Sequence, residues 1–259
     1  MTHEQRLKHL NVPTLPIDVV LDTDAYNEID DQFAISYLLA CEEKVNLLAL
    51  TAAPFFNAIS DSPADGMEKS YNEIKNLLKL AGKESLCDIV YRGSEGYLPD
   101  EETPVRSPAA EKMVALAAAH TPENPLYIVA IGAITNVASA LLMSEEVRRN
   151  CVVVWLGGHG IHIPKAASEF NMRQDIAAAR VLMGCGVPLV LLPCKGVVDH
   201  LTTSKQELAY WLQGKNALCD YLYRHTVQTA ESYAAGKPWT RVIWDRVAVA
   251  WLMDEEGRV

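Results

Sequence analysis

Short runs of consecutive apolar residues alternate along the chain with longer segments in which apolar residues recur every three or four positions. The runs Ile17–Leu21, Val45–Thr51, Asp88–Tyr91, Leu126–Ile131, Val152–Leu156 and Val187–Leu192 are rich in aliphatic and β-branched residues and have the length of strands. Between them, Phe33–Cys41, Met67–Leu80, Ala109–Ala119, Asn136–Met143 and Ile176–Met183 carry the helical period. Several strand runs are apolar on both faces, which a strand requires only when helices cover the sheet above and below. The alternation therefore predicts an α/β fold with an open, mostly parallel sheet flanked by helices. No internal repeat or low-complexity linker interrupts it, so residues 1–259 are expected to form a single domain.

Polar residues with chemical potential follow these runs repeatedly: aspartates after Leu21, Asn57 after Thr51, Gly132 after Ile131, Gly157 and Gly158 after Leu156. In an open parallel sheet the ligand crevice lies beyond the carboxyl ends of the strands, so one crevice can collect all of them. The loop-rich segments Pro54–Gly66 and Gly93–Pro108 and the aromatic segment Tyr221–Trp239 are long enough to close over it.

The densest chemistry lies in Val20-Leu-Asp-Thr-Asp-Ala-Tyr-Asn-Glu-Ile-Asp-Asp-Gln-Phe-Ala34, which places Asp22, Asp24, Asp30 and Asp31 within ten residues at the end of a buried run. Carboxylates this close repel one another unless protons, firm hydrogen bonds or a cation offset the charge. A hard divalent metal is the simplest remedy. An EF-hand is excluded, because the sixth loop position is not glycine and the twelfth is Phe33 rather than glutamate. Helix capping explains one of the acids, not four. Asp245, leading into the apolar helical run Val247–Ala250, reads as a cap or as a further ligand. In Ser168-Glu-Phe-Asn171 an acid and an amide stand two apart, so an extended segment would point both to one side, as sugar hydroxyls require. The run Val129–Asn136 is a strand, a glycine turn and a helix start, where a carbonyl can face a cation.

Charge and composition narrow the partners. With 49% hydrophobic residues, 22% charged residues and a net charge of −10, the chain is of ordinary globular type and lacks the basic surface that tracks phosphates. A nucleic-acid partner is not expected; a neutral or cation-assisted small molecule is. The polar N-terminus and the lack of any long apolar run point to a cytoplasmic protein without membrane contact. The six scattered cysteines, with no CxxC pair, read as reduced thiols.

Taken together and in order, DTDxxNEIDDQFA, AIGAITNVASAL, LGGH followed by SEFNxxxD, and WDRVAVA resemble the inosine-uridine-preferring nucleoside hydrolase family over essentially the whole chain. The resemblance implies a Rossmann-like core and hydrolysis of the N-glycosidic bond of ribonucleosides to ribose and free base, in purine or pyrimidine salvage. It further implies a bound calcium ion held by Asp24, Asp31, the backbone carbonyl of Ile131 and Asp245, with Asp24 also the general base. Asp30, Glu169 and Asn171 inherit contacts to the ribose, and Asp22 a supporting role. A homodimer or homotetramer is the implied assembly.

The departures from the family pattern carry as much meaning. The chain has two extra residues between its acid pairs relative to the usual DTDPGxDDAxA. Trp244 stands where many members have a histidine that assists the departing base; it either stacks on the base or packs in the core. Ile163 occupies the position of a usual asparagine contact to the 5′ side. Asn57 either replaces a sugar contact or caps a turn. His159, His162 and His200 are loop histidines near the crevice. The chain is also shorter after Asp245 than the resemblance implies, as in a C-terminally shortened member or a fragment. Two alternatives stay open: a metal-dependent ribosyl-binding protein without efficient catalysis, and an N-ribohydrolase for another ribosyl compound.

Overall fold

The strand-forming runs sit where their apolar residues can be buried on two sides. In the computed structural model, which describes residues 1–165 and 168–254, six parallel strands form one sheet. They are β1 (Ile17–Thr23), β2 (Val45–Ala52), β3 (Val90–Tyr91), β4 (Leu126–Ala130), β5 (Cys151–Leu156) and β6 (Leu189–Leu192), in the spatial order β3-β2-β1-β4-β5-β6. Central strands β4 and β5 are buried at every position, while edge strand β6 is buried only at Leu192. That gradient is what the two-faced apolar runs predict.

Helices cover both faces. On one face α2 (Asp31–Ala40), α3 (Pro63–Leu80) and α11 (Arg246–Leu252) pack on Val19, Leu21, Val129 and Val154. On the other, α4 (Pro108–Ala118), α5 (Thr135–Met143) and α8 (Ile176–Gly184) pack on Val20, Ile128, Val153 and Trp155. Alternate residues of each strand thus feed two separate cores. Helices α3 and α4 both begin with a serine whose hydroxyl accepts an N–H at the third helical position, followed by proline at the first.

The expected elements are present, with corrections at their ends. Asp88 and Ile89 belong to a 3₁₀ turn rather than to β3, and Ile131 lies just past β4. Pro188 delays β6 to Leu189, because proline lacks the N–H that a ladder needs. The segment around Glu169 is not extended: Glu169 caps the short α7 (Phe170–Gln174), its carboxylate accepting the N–H groups of Asn171 and Met172. Periodicity alone also missed α1 (His3–His9), α6 (Glu145–Asn150), α9 (Lys205–Trp211) and the antiparallel pair β7 (Thr202–Ser204) and β8 (Thr240–Val242). These are too short for a repeating pattern to declare itself. Tyr221–Ala234 belongs to α10 (Ala217–Ala234), where Tyr221 donates to buried Glu73 at 2.5 Å and stacks on His225. Among the described residues no helix is long and apolar enough to cross a membrane, and all six cysteines are free.

The sheet order reverses direction between β1 and β4, and their carboxyl ends flank the opening that such a reversal leaves. Asn136, fully buried at the start of α5, ties this region together. Its amide donates to Asp22 Oδ1 (2.9 Å) and to the carbonyl of Ala52 (3.1 Å), and its oxygen accepts the backbone N–H of Ser94 (2.8 Å). Asn136→Leu strands all three partners without replacement and should cost about 2–4 kcal/mol in urea unfolding. A loss below about 0.5 kcal/mol would show that the ends of β1 and β2 do not depend on this amide.

Candidate metal and sugar site

Asp22, the penultimate residue of β1, is fully buried and accepts hydrogen bonds from the hydroxyl of Thr51 (2.6 Å) and the amide of Asn136. Burial outweighs those bonds and pushes its carboxyl up to about 6. Asp24 follows one residue beyond the strand, 1% exposed, with an Oδ2 atom that has no hydrogen-bond partner. Burial, then the charges of Asp31 and Asp30, raise its pKa well above the usual carboxylate range. A Cβ on Gly132 would stand 3.0 Å from both Asp24 Oδ1 and the Ala53 side chain, so glycine there lets the turn after β4 approach the acid.

Asp30 and Asp31 open α2, and Asp245 precedes α11. Asp30 and Asp245 occupy the capping positions of those helices yet neither makes a side-chain capping bond. The bland reading of both as helix caps is therefore not what their side chains do. Instead the carboxylates of Asp30, Asp31 and Asp245 converge, with one oxygen from each within 4.8 Å of the others, all buried. The hydroxyl of Thr23 donates to Asp31. Burial is the largest cause lifting Asp30 to about 6 and Asp31 to about 8, and neighbouring carboxylates add to it: Glu28 for Asp30, Asp30 for Asp31. Asp245 is raised well above its ordinary value by burial and then by Asp30 and Asp31.

Such a group needs protons or a cation. The donors on hand are carboxylate oxygens and a backbone carbonyl, the all-oxygen set that hard divalent ions take, and Asp24 Oδ2 is a buried acceptor with no partner. The residues fit a metal such as calcium.

Opposite the acids, the Glu169 carboxylate is held by three backbone N–H groups, those of Gly158 (2.8 Å), Asn171 (2.8 Å) and Met172 (2.9 Å). The amide nitrogen of Asn171 donates both protons to carbonyls, Ile131 at 3.1 Å and Leu156 at 3.0 Å. Because both neighbours are acceptors, the amide orientation is fixed and Asn171 Oδ1 is left to receive a donor. The carbonyl of Ile131, which has a second lone pair, keeps one acceptor direction.

One cavity of about 330 Å³ is lined by Asp24, Asp30, Asp31, Ile131, Glu169, Asn171, Trp244 and Asp245 together. The size suits a small organic ligand. Asp22 is not part of this lining. Asn57 does not line it; its amide donates to Asn27 Oδ1 (2.6 Å), and Asn27 does line it. Asn27, Glu28, Phe170, Arg173 and Cys194, which the sequence did not mark as site residues, also line it. Phe170 and Arg173 were findable, lying one turn apart in α7 beside the acid-amide pair. Of the histidines only His159 reaches the wall; the His200 side chain is 85% exposed. No residue from Tyr221 to Trp239 contributes.

The model for inosine-uridine preferring nucleoside hydrolases matches residues 19–258. The chain belongs to this family. Solved structures with the same fold include a plant nucleoside hydrolase (22% identity, TM-score 0.69, covering 92% of this chain and 79% of that one). A purine-preferring ribonucleoside hydrolase from Gardnerella vaginalis is similar at 20% identity, TM-score 0.67, with 92% and 80% covered. So is the type III effector protein XopQ, solved with adenosine diphosphate ribose, at 18% identity, TM-score 0.63, with 90% and 72% covered. No curated protein sequence matches the chain.

The raised carboxyls of this family site make stability depend on pH with a definite sign. Each holds its proton to higher pH in the folded than in the unfolded chain, so its contribution is complete below about pH 4 and is lost as pH rises toward about 8. Metal-free protein should therefore melt at falling temperature from pH 5 to pH 8, and added divalent cation should stabilise it most at the upper end. A chelated sample whose melting temperature climbs across that range would contradict the charge assignment.

Proposed function

We propose that the chain is a nucleoside N-ribohydrolase that splits a ribonucleoside with water into ribose and free base. The observation that carries this reading is the convergence on one cavity of a buried carboxylate cluster and a separately anchored acid-amide pair. Calcium bound by Asp24, Asp31, the Ile131 carbonyl and Asp245 would supply charge compensation and a fixed, acidified water. Asp24 is the general base: its Oδ2 atom accepts the proton of the attacking water, and no other donor competes for it. Asp30 and Glu169 accept from ribose hydroxyls, and Asn171 does so through Oδ1. As the bond to the base lengthens, positive charge grows at C1′ and the ring oxygen, and the surrounding carboxylates stabilise it. Trp244, in the cavity wall, presents an apolar face to the leaving base. Cytoplasmic nucleoside salvage and a homodimer or homotetramer complete the proposal.

Asp24→Asn keeps the shape of the site and removes the base. It should lower kcat at least about a thousandfold, measured as release of reducing sugar across a panel of nucleosides with calcium present. Activity within tenfold of the parent would remove Asp24 from that role, and no sugar release by the parent from any nucleoside would refute the hydrolase. Trp244→Ala should raise KM roughly 5- to 150-fold if the indole stacks on the base, since such stacking contributes about 1–3 kcal/mol. An unchanged KM with lower thermal stability would assign Trp244 to packing alone.

A second reading follows from the same residue. Indole is not a usable acid, and the N–H of Trp244 has no partner, so the leaving base lacks a proton donor at this position. That favours a ribosyl-binding protein with little turnover, or a substrate whose leaving group departs without protonation. Arg173 at the cavity wall would suit an anionic substituent. Calorimetric binding of ribose or nucleosides without sugar release distinguishes the first, and a screen of charged ribosyl compounds the second.

A further inference from the structure

Asp30 poses a problem for the calcium reading. Its carboxylate lies within the same tight group as Asp31 and Asp245, yet the family resemblance reserves it for the sugar. Five carboxylates, those of Asp24, Glu28, Asp30, Asp31 and Asp245, share the acidic end of the site, more than one divalent ion neutralises. Something must decide which of them the metal takes.

Arg241 is placed to do so. It stands in β8, four residues before Asp245, and its side chain is only 16% exposed. The guanidinium pairs with Glu28 and lies over the Trp244 ring at 5.1 Å, while Tyr233 stands alongside it. Its positive charge acts on Asp30, opposing the repulsion from Glu28. The Nε atom is buried without a partner, so the fork is not saturated by the contacts it makes. An arginine remains charged at every physiological pH, and its planar head keeps a fixed direction when stacked on an indole.

We infer that Arg241 is a resident counter-cation that holds Glu28 and Asp30 out of the metal's ligand set, leaving Asp30 for the ribose. It is a positioning residue and touches no reacting atom. The inference rests on the calcium reading above and extends it to the question of which acids the ion takes. A fixed positive charge beside the site repels a divalent cation, so its removal has an effect opposite to structural damage. Loss of packing weakens metal binding, whereas loss of a repelling charge with release of Asp30 strengthens it.

The test is calorimetric titration of calcium chloride into metal-stripped protein. Arg241→Gln and Arg241→Met, the latter keeping an apolar stem against Trp244, should bind calcium about 3- to 30-fold more tightly than the parent and should bind ribose more weakly. Arg241→Lys, which keeps the charge, should stay within about twofold of the parent for calcium. Unchanged or weaker calcium binding in the neutral variants overturns the inference, as does equal tightening in the lysine variant. If one neutral variant does not fold, the other decides by the same criterion. A parent protein that binds no calcium refutes the metal reading itself, a result distinct from failure of the Arg241 role.

Discussion

The structure is organised around the cost of placing several carboxylates in a dry site. A single buried, unpaired carboxylate is expensive, and the four aspartates at and just beyond the end of β1, with Asp245 beside them, would oppose folding unless something offset their charge. The fold meets part of the cost with local donors: Thr51 and Asn136 for Asp22, Thr23 for Asp31, and Arg241 opposing the repulsion at Asp30. The remainder is left open at Asp24 and at the junction of Asp30, Asp31 and Asp245. The residues there fit a divalent cation, and we propose that one completes the charge balance.

Much of this was legible in the chain. Two-faced apolar runs announce a covered parallel sheet, and that sheet puts the ends of its strands in one place, so DTDxxNEIDD and the glycine turn after Ile131 had to be neighbours. What was not legible depends on side-chain commitments between distant segments. Asn136 reads in the sequence only as part of a helix start, but it bonds to Asp22 and Ala52, 114 and 84 residues away. The pair Glu169 and Asn171 reaches the cavity from the first turn of a helix rather than from a strand, because the Glu169 carboxylate satisfies N–H groups that a helix start exposes. The aromatic residues of α10 were dense enough to resemble a lid. Tyr221 found a buried carboxylate partner on α3 instead, and such a partner is visible only in three dimensions.

The cavity keeps the acids of the family pattern and departs from that pattern around them. Where we propose that the sugar binds, hydrogen bonds orient the Glu169 carboxylate and the Asn171 amide and leave Asn171 Oδ1 free to accept. For the base we propose Trp244, which lies under Arg241 and stands in place of a histidine before Asp245; Phe170 and Arg173 also line the wall. The departures therefore fall on both sides of the proposed scissile bond: the two extra residues of the aspartate motif and Ile163 on the metal and sugar side, Trp244 on the side of the base.

The most direct test of the account is an experimental structure of the calcium-loaded protein with a ribose-like inhibitor. The expected result is one ion ligated by Asp24, Asp31, the Ile131 carbonyl and Asp245, with the sugar hydroxyls against Asp30, Glu169 and Asn171 Oδ1. An ion held by Asp30 without Asp24, or a sugar bound away from the acid-amide pair, would contradict it.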